Sequence, residues 1–328
     1  MTDVTLVTGA GGFIGGHLVK DLLAGGRAVR AVDIKPEAEW HQVFAGADNR
    51  IADLREPGAC AEAVAGVGRV YNLASDMGGM GFIESHKAAC MLSVLINTHL
   101  LQASAAADVE RFFFGSSACV YAAEHQTSPD VVPLREEDAY PAMPEDGYGW
   151  EKLFSERMCR HFTEDFGLET RVARYHNVYG PHGTFEGGRE KAPAAICRKV
   201  AEAELLDRPE IEIWGDGKQT RSFTYIDDCV RGTLAIMDSD LTEPVNLGSA
   251  TLVTIDDLVS IVEEIAGITL ERRYKTDAPT GVRGRNSDNT KLRAAIGWEP
   301  GTPLRDGLDV TYRWVRDQVR ARRALALS

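Results

Sequence analysis

The sequence predicts an α/β fold: a Rossmann-like, doubly wound parallel sheet joined to a smaller C-terminal α/β domain. Three observations predict it. Short β-branched runs alternate with longer helical patterns through the first half of the chain. The first run ends in a glycine-rich turn that opens a helix, and an acid closes the second run. Strands alternating with helices imply right-handed crossovers and a parallel sheet covered on both faces.

Taken in order, "VTLVTGA" is a strand ending in glycines, and "GFIGGHLVKDLLAGG" has helical periodicity with a glycine stop. "AVRAVDI", "RVYNLAS", "RFFFGSS" and "ETRVARYHNVYG" read as further strands. Two long helices are expected at Ile83–Ala107 and Tyr148–Phe166. The first carries an apolar stripe of Met91, Leu92, Leu95, Ile96, Leu100 and Leu101, wide enough to cover the sheet and also to face a partner subunit. After "YGPHG" the pattern changes. "TFEGGREKAPAA" is a charged, Gly-containing loop leading into a helix, followed by short strands in "EIEIWGDG" and "SFTYI". Helices are expected near Asp227–Met237 and Ile255–Ala266, then a second charged loop, "PTGVRGRNSDN", and a basic amphipathic helix at the end.

Composition narrows the function. The 328 residues, 44% hydrophobic and 26% charged, are ample for a large core and are not those of a disordered chain. A net charge of −13 argues against broad nucleic-acid binding, so a phosphate ligand needs a local basic pocket or backbone amides. No apolar run reads as a membrane span and no basic leader precedes the first strand, so a cytoplasmic location is expected. The six cysteines show no zinc spacing, hence no metal site, and free thiols are expected.

The turn "TGAGGFIG" places Gly9, Gly12 and Gly15 between strand and helix, where backbone must approach a pyrophosphate and the helix N-terminus favours an anion. The spacing is Gly-x-x-Gly-x-x-Gly rather than Gly-x-Gly-x-x-Gly. Asp33, at the end of the second strand, can accept from a ribose 2′-hydroxyl and would repel a 2′-phosphate, which favours NAD; the alternative is a solvated strand-end acid. Asp53, in "IADLRE", falls where a third strand edge can reach adenine.

"YGWEKL" puts Tyr148 and Lys152 on one helical face. A tyrosine with a pKa near ~10 is a poor base until a neighbouring ammonium favours its phenolate. Such a tyrosine can take a hydroxyl proton while hydride leaves the same carbon, and Ser117 can hold that hydroxyl. Together, "TGAGGFIG", "NLAS", "SSACVY", "YGWEKL", "RYHNVYGP" and "RSFTYIDD" resemble the extended short-chain dehydrogenase/reductase family in its order across nearly the whole chain. That resemblance implies nucleotide-sugar chemistry with NAD. It also implies an NAD-binding domain of 1–178 plus about 221–248, and a nucleotide-sugar domain of about 179–220 and 249–328.

Cys119 is the departure. Dehydratases of this family typically carry an Asp-Glu pair here, where this chain has Ala118 and Cys119. If the strand continues, Ser117 and Cys119 point the same way. A thiol beside the tyrosine suggests proton transfer at a carbon α to a C4 ketone, which needs a second group on the opposite ring face. Lys191, in "GGREKAP", is the candidate; packing alone is the alternative for the thiol.

"ASDMGGMGFIES", "YHNVYGPHGTFEGGREKAPAA", "WGDGKQTRSFTYIDD" and "GVRGRNSDNT" resemble, more closely, the members of the family that epimerise GDP-hexoses at C3 and C5. This implies that Tyr148 and Lys152 form the redox pair and that Cys119 and Lys191 exchange the α-protons. It implies GDP-sugar contacts from Gly78, Ser117, Ala118, Asn177, Glu190, Ala192, Lys199, Gln219, Thr220, Arg221 and Arg285, and NAD contacts from Phe13, Ile14, Leu54 and Ala74. The residues themselves agree in part: Lys199, Arg221 and Arg285 are cations that a diphosphate needs in an acidic protein, with surface salt bridging as the alternative. A homodimer is expected from the apolar helices. The competing readings are a 4-epimerase, which would tolerate loss of the thiol, an epimerase of one centre or of another GDP-sugar, and a non-catalytic NAD-binding relative.

Overall fold

The computed structural model describes residues 4–327. In chain order the elements are β1 (Val4–Thr8), α1 (Phe13–Ala24), β2 (Ala28–Asp33), β3 (Asp48–Ile51), α2 (Pro57–Val64), β4 (Arg69–Asn72), α3 (Met80–Ser85), α4 (Lys87–Met91), α5 (Ser93–Ala106), β5 (Arg111–Ser117), α6 (Tyr148–Phe166) and β6 (Glu169–Tyr175). Then follow β7 (Val178–Tyr179), α7 (Ala192–Leu206), β8 (Glu210–Trp214), β9 (Thr220–Ser222), β10 (Thr224–Tyr225), α8 (Ile226–Asp238), β11 (Val245–Leu247), β12 (Leu252–Thr254), α9 (Ile255–Ala266), β13 (Glu271–Lys275), β14 (Gly284–Arg285), α10 (Thr290–Ile296) and α11 (Leu304–Leu327).

Seven parallel strands form the central sheet in the order β11-β6-β5-β4-β1-β2-β3. The β-branched and aromatic runs alternate sides. Leu6, Val32, Phe112, Phe114 and Val172 enter one core with Leu100 and Leu101 of α5, while Val7, Ala31, Phe113 and Ala173 enter the other. Because both faces are buried, the strands read as continuous apolar runs. The strand β11 supplies the seventh position from far along the chain, through a three-residue segment that gives no strand pattern of its own.

Two expectations are corrected. The helix expected over Ile83–Ala107 is three pieces, broken at His86, whose φ/ψ of −127°/40° is not helical. There the His86 ring stacks on Phe82, which also carries the Arg189 guanidinium on its ring. The stretch Lys87–Ala106, at 20 residues, is long and apolar enough by length and composition to cross a membrane, contrary to the reading that no run is. In this fold it covers the sheet: Asn97 is buried and donates to the Ser155 carbonyl, and accepts from Asn72, while Leu100 and Leu101 are fully buried. The other half of its stripe, Met91, Leu92 and Leu95, faces outward. All six cysteines are free and buried.

Away from the central sheet lie β8 paired with β13, and a small sheet β12-β9-β14. In the latter, Arg285 and Arg221 are in register on parallel neighbours. The N-terminal Pro193 and capless start of α7 lead its chain out of the "GGREK" loop, and α9 begins with a Thr254/Asp257 capping box.

A buried ion pair ties these parts together. Arg174 on β6 donates to Glu156 on α6 through Nε (2.9 Å) and Nη2 (2.7 Å). Ser116 on β5 donates to the same carboxylate, and Arg174 Nη1 reaches the Tyr121 hydroxyl (3.1 Å) and the Glu136 carbonyl (2.8 Å). Tyr121 in turn donates to Asn246 Oδ1 on β11 (2.6 Å). Asn246 Nδ2 is already donating to Leu134, so Oδ1 is an acceptor and the buried His176 must carry its proton on Nε2 to bond it at 3.0 Å.

Breaking such a pair leaves an uncompensated buried charge. Glu156→Ala is expected to cost about 3–5 kcal/mol in urea unfolding, and the double change Glu156→Leu/Arg174→Met much less. His176 is held neutral, its pKa lowered to about 3 by burial. The unfolded chain binds the proton below its ordinary range and the folded one does not, so stability should fall as pH drops from about 6.5 toward about 3. His176→Gln should flatten that slope in pH-dependent unfolding.

Candidate active site

The nucleotide end is built by β1, the glycine turn and α1. A Cβ on Gly15 would stand 2.1 Å from the Gly9 carbonyl oxygen, so the turn closes only with glycine there. Gly9 presses on the backbone of Ala74, and Gly12 is the N-cap of α1 without any side-chain cap. The first-turn N–H groups, at Phe13 and Ile14, are thereby left for an anion. Asp33 is buried, and its two oxygens accept from Gly11 N–H and Lys35 N–H, both at 3.0 Å. The carboxylate is clamped to the turn with lone pairs to spare, which fits a ribose. This pocket of backbone donors, tight turn and fixed acid fits a dinucleotide. Asp53 accepts from Arg55 through both oxygens (2.9 and 2.5 Å), with lone pairs remaining on each. The Leu54 side chain is buried in the core, which leaves only its backbone for a ligand.

The reacting end begins where β5 stops. The strand does not continue, as the alternation argument assumed. Ala118–Val120 is a single tight turn, capped by Ser117 Oγ accepting from Cys119 N–H at 3.2 Å. The conclusion survives by another route, because the turn itself folds the thiol back beside Ser117. The first turn of α6 then packs on it. A Cβ on Gly149 would be 2.3 Å from the Cys119 carbonyl oxygen, so only glycine allows this approach. Cys119 and Tyr148 share one small buried cluster with Cys90, Phe82 and Ile83.

Four charged groups surround the thiol. Arg285 Nη1 donates to Sγ at 3.6 Å, and its Nε is held by Gln126 at 2.6 Å. Glu145 lies 3.9 Å from Arg285, and its N–H donates to the Cys119 carbonyl at 3.0 Å. Lys191 and Arg221 interact with the thiol by charge. Burial, then Glu145, pushes the Cys119 thiol up to about 11, against the pull of Arg285. Burial lowers the Lys191 amine from its ordinary range. Both shifts favour the uncharged forms, a thiol that can give a proton and an amine that can take one.

Tyr148 is pushed well above the ordinary phenol range by burial, then by Cys119 and Glu151, while a Ser117 hydrogen bond opposes. Lys152 does not dominate it as expected. Its ammonium is 3.5 Å from Glu151 Oε2, 4.7 Å over the Phe114 ring and 5.5 Å from the Tyr148 ring centre. Glu151, missed in the sequence because it sits between the motif residues, draws off part of that charge.

The remaining positions divide. Arg221 and Arg285 come together, as the strand register requires. Arg221 bonds only carbonyls, those of Thr220 (2.7 Å), Thr280 (3.0 Å) and Val282 (2.6 Å), and burial and Arg285 bring its pKa down to about 9. Two adjacent arginines with so little counter-charge make an anion site. Gln219, next to Thr220, is buried with Oε1 lacking a partner. Asn177 holds a positive φ of 42° and donates to the Ser222 carbonyl. Gly78 packs on Phe82, and its loop meets the Glu190 loop: Gly79 donates to the Arg189 carbonyl at 3.0 Å, and Arg189 pairs with Asp76 at 2.6 Å. Glu190 is taken by Gly188 N–H and Arg198, and Ala192 opens α7. Lys199 donates to the Glu212 carbonyl at 2.7 Å, which leaves two of its three ammonium donors. Glu145 has no motif spacing, and only the folded loop brings it to the thiol.

Residues 5–248 match the signature of the NAD dependent epimerase/dehydratase family. The chain is 46% identical over 314 residues to GDP-mannose 3,5-epimerase 1 of Oryza sativa subsp. japonica, covering 95% of this chain and 82% of that one. It is 43% identical over 319 residues to GDP-mannose 3,5-epimerase of Arabidopsis thaliana, covering 97% and 83%. The structure is similar to UDP-glucose 4-epimerase of Thermotoga maritima with UDP-glucose, with a TM-score of 0.87, 27% identity and coverage of 96% and 99%. It is also similar to MoeE5 in complex with UDP-glucuronic acid and NAD, with a TM-score of 0.80, 29% identity and the same coverage.

Gly15→Ala is expected to lower the NAD content of the purified protein at least about tenfold, read by absorbance after denaturation, because the turn must open. A stoichiometric NAD content in that variant would contradict the tight-turn account.

Proposed function

The chain belongs to the NAD dependent epimerase/dehydratase family, and from that premise we propose that it epimerises GDP-mannose at C3 and C5 through a transient 4-keto sugar. The observation that carries the reading is the second acid/base pair: Cys119 and Lys191 share the site of Tyr148 and Ser117, where a 4-epimerase needs no such pair. The GDP-mannose 3,5-epimerases at 43 and 46% identity support the sugar and the base.

In this mechanism residues 1–178 with about 221–248 hold NAD, through the Gly9–Gly15 turn, Phe13 and Ile14 N–H, Asp33 and Ala74. NAD supplies reversible hydride acceptance at sugar C4. Residues of about 179–220 and 249–328 hold the GDP-sugar, with Arg221 and Arg285 on the diphosphate and Gln219, Thr220 and Asn177 around it. Ser117 orients the C4 hydroxyl. Tyr148 takes the hydroxyl proton and later returns it. Lys152 holds Tyr148's surroundings cationic, its effect trimmed by Glu151. With a ketone at C4, the C3 and C5 protons are acidic. Lys191 removes one from a ring face and Cys119 delivers one to the other, which inverts the centre. Burial excludes water from the open ketone. The exposed apolar side chains Met91, Leu92 and Leu95, beside Trp150 and Phe154 of α6, support docking of a second copy of the chain.

Incubation with GDP-mannose in D2O, without added cofactor, should place deuterium at C3 and C5 and yield new GDP-hexose isomers by NMR. Cys119→Ala should lose at least about a hundredfold of that exchange while keeping NAD. No exchange in protein shown to contain NAD counts against GDP-mannose. Light scattering should give a dimer mass, and Leu95→Lys/Phe154→Lys a monomer.

A further inference from the structure

The site contains an acid beside the thiol that the mechanism does not use. Glu145, three residues before Tyr148, stands against the thiol from the loop entering α6. Its N–H holds the Cys119 carbonyl at 3.0 Å, its Cβ faces Gly149, and its carboxylate is 3.9 Å from the guanidinium that donates to Sγ. Its side chain is 20% exposed, so it borders water, whereas Cys119 is 7% exposed.

We propose that Glu145 is a positioning residue that acts through Cys119, returning the thiol to its protonated form between two successive α-proton exchanges at one bound sugar. The proposal rests on the reading of the preceding subsection. In the chair of a D-mannosyl ring the C3 and C5 hydrogens lie on the same face. The same group must therefore take both protons, and the same group must deliver both. At the first carbon the Lys191 amine takes the proton and the C–H electron pair passes into the enolate of the C4 ketone. The enolate carbon then forms its new bond to the proton of Cys119 on the other face. Lys191 is left as ammonium and Cys119 as thiolate, and neither can serve the second carbon in that state. The ammonium must give a proton to water and the thiolate must take one from water, with no net consumption.

The groups facing Sγ set how readily that happens. Arg285, Arg221 and Lys191 favour the thiolate, Ser117 donates toward it, and Tyr148 is neutral. Glu145 is the acid that opposes them. It accepts from the thiol and raises the energy of the thiolate beside it, so a spent Cys119 is reprotonated at the watered edge of the site.

The test uses the NAD-containing protein. Iodoacetamide alkylation of Cys119 is followed by peptide mass spectrometry from about pH 7 to about pH 10. Glu145→Gln keeps the shape and removes the charge, so alkylation at about pH 8.5 should be faster by about tenfold. Glu145→Asp should restore the slow rate, and Arg285→Gln should shift it the other way. With GDP-mannose in D2O, Glu145→Gln should accumulate singly inverted, singly deuterated product, and the alkaline limb of kcat should move to lower pH. Wild-type alkylation in Glu145→Gln, or an unchanged product ratio and limb, would overturn the proposal. If the wild-type protein exchanges nothing with GDP-mannose, the substrate reading fails, while the alkylation comparison still decides whether Glu145 governs the thiol.

Discussion

The buried pair between Glu156 and Arg174 is the constraint on which the site depends. It joins α6 to β6, takes in Ser116 of β5 and reaches Tyr121 just beyond the Cys119 thiol. Those are the elements that carry Tyr148, Lys152, Ser117 and Cys119. Replacing a salt bridge by apolar packing is often neutral for stability, so a buried pair is weak evidence of strength. Its consequence here is geometric. Ser116, Tyr121 and the Glu136 carbonyl converge on the two charges, and moving α6 by a fraction of its pitch would strand all of them. The Asn246 and His176 bonds extend the same lattice to β11.

Around that frame the site is assembled from charge rather than from shape. Two arginines sit in register, Arg221 on carbonyls and Arg285 on Gln126, the thiol and Glu145; a thiol is pushed up, and an amine is pushed down. Burial is the first cause of each shift. A low-dielectric pocket keeps the proton on the Cys119 thiol and takes it from the Lys191 amine, which leaves an acid ready to give and a base ready to take. The same burial lifts Tyr148, and the neighbouring Glu151 limits what Lys152 can do about it.

Much of the fold was legible because it is periodic. The continuous apolar strands, the helix Tyr148–Phe166 and the glycine turn came from patterns that repeat at the spacing of a strand or a helix, and the structure has them at those positions. The broken helix was not legible. His86 interrupts it because its ring stacks on Phe82 beneath Arg189, a residue about a hundred positions away. The strand alternation at Ser117 and Cys119 failed for a local reason: Ser117 caps a tight turn instead of continuing the pleat.

The sequence by itself determined the class of fold and the nucleotide turn and singled out the Tyr148/Lys152 pair as a candidate, because each rests on residues adjacent in the chain or one helical turn apart. Tertiary structure decided what those side chains can do. Whether Arg221 meets Arg285 depends on a strand register between residues far apart in sequence. Which lone pairs of Asp53 stay open depends on which way Arg55 folds. Glu145 reaches Cys119 only because Gly149 lets the first turn of α6 close on the thiol's carbonyl. Proton affinities follow from burial and from charges a few ångströms away, and no local pattern of residues encodes distances of that kind.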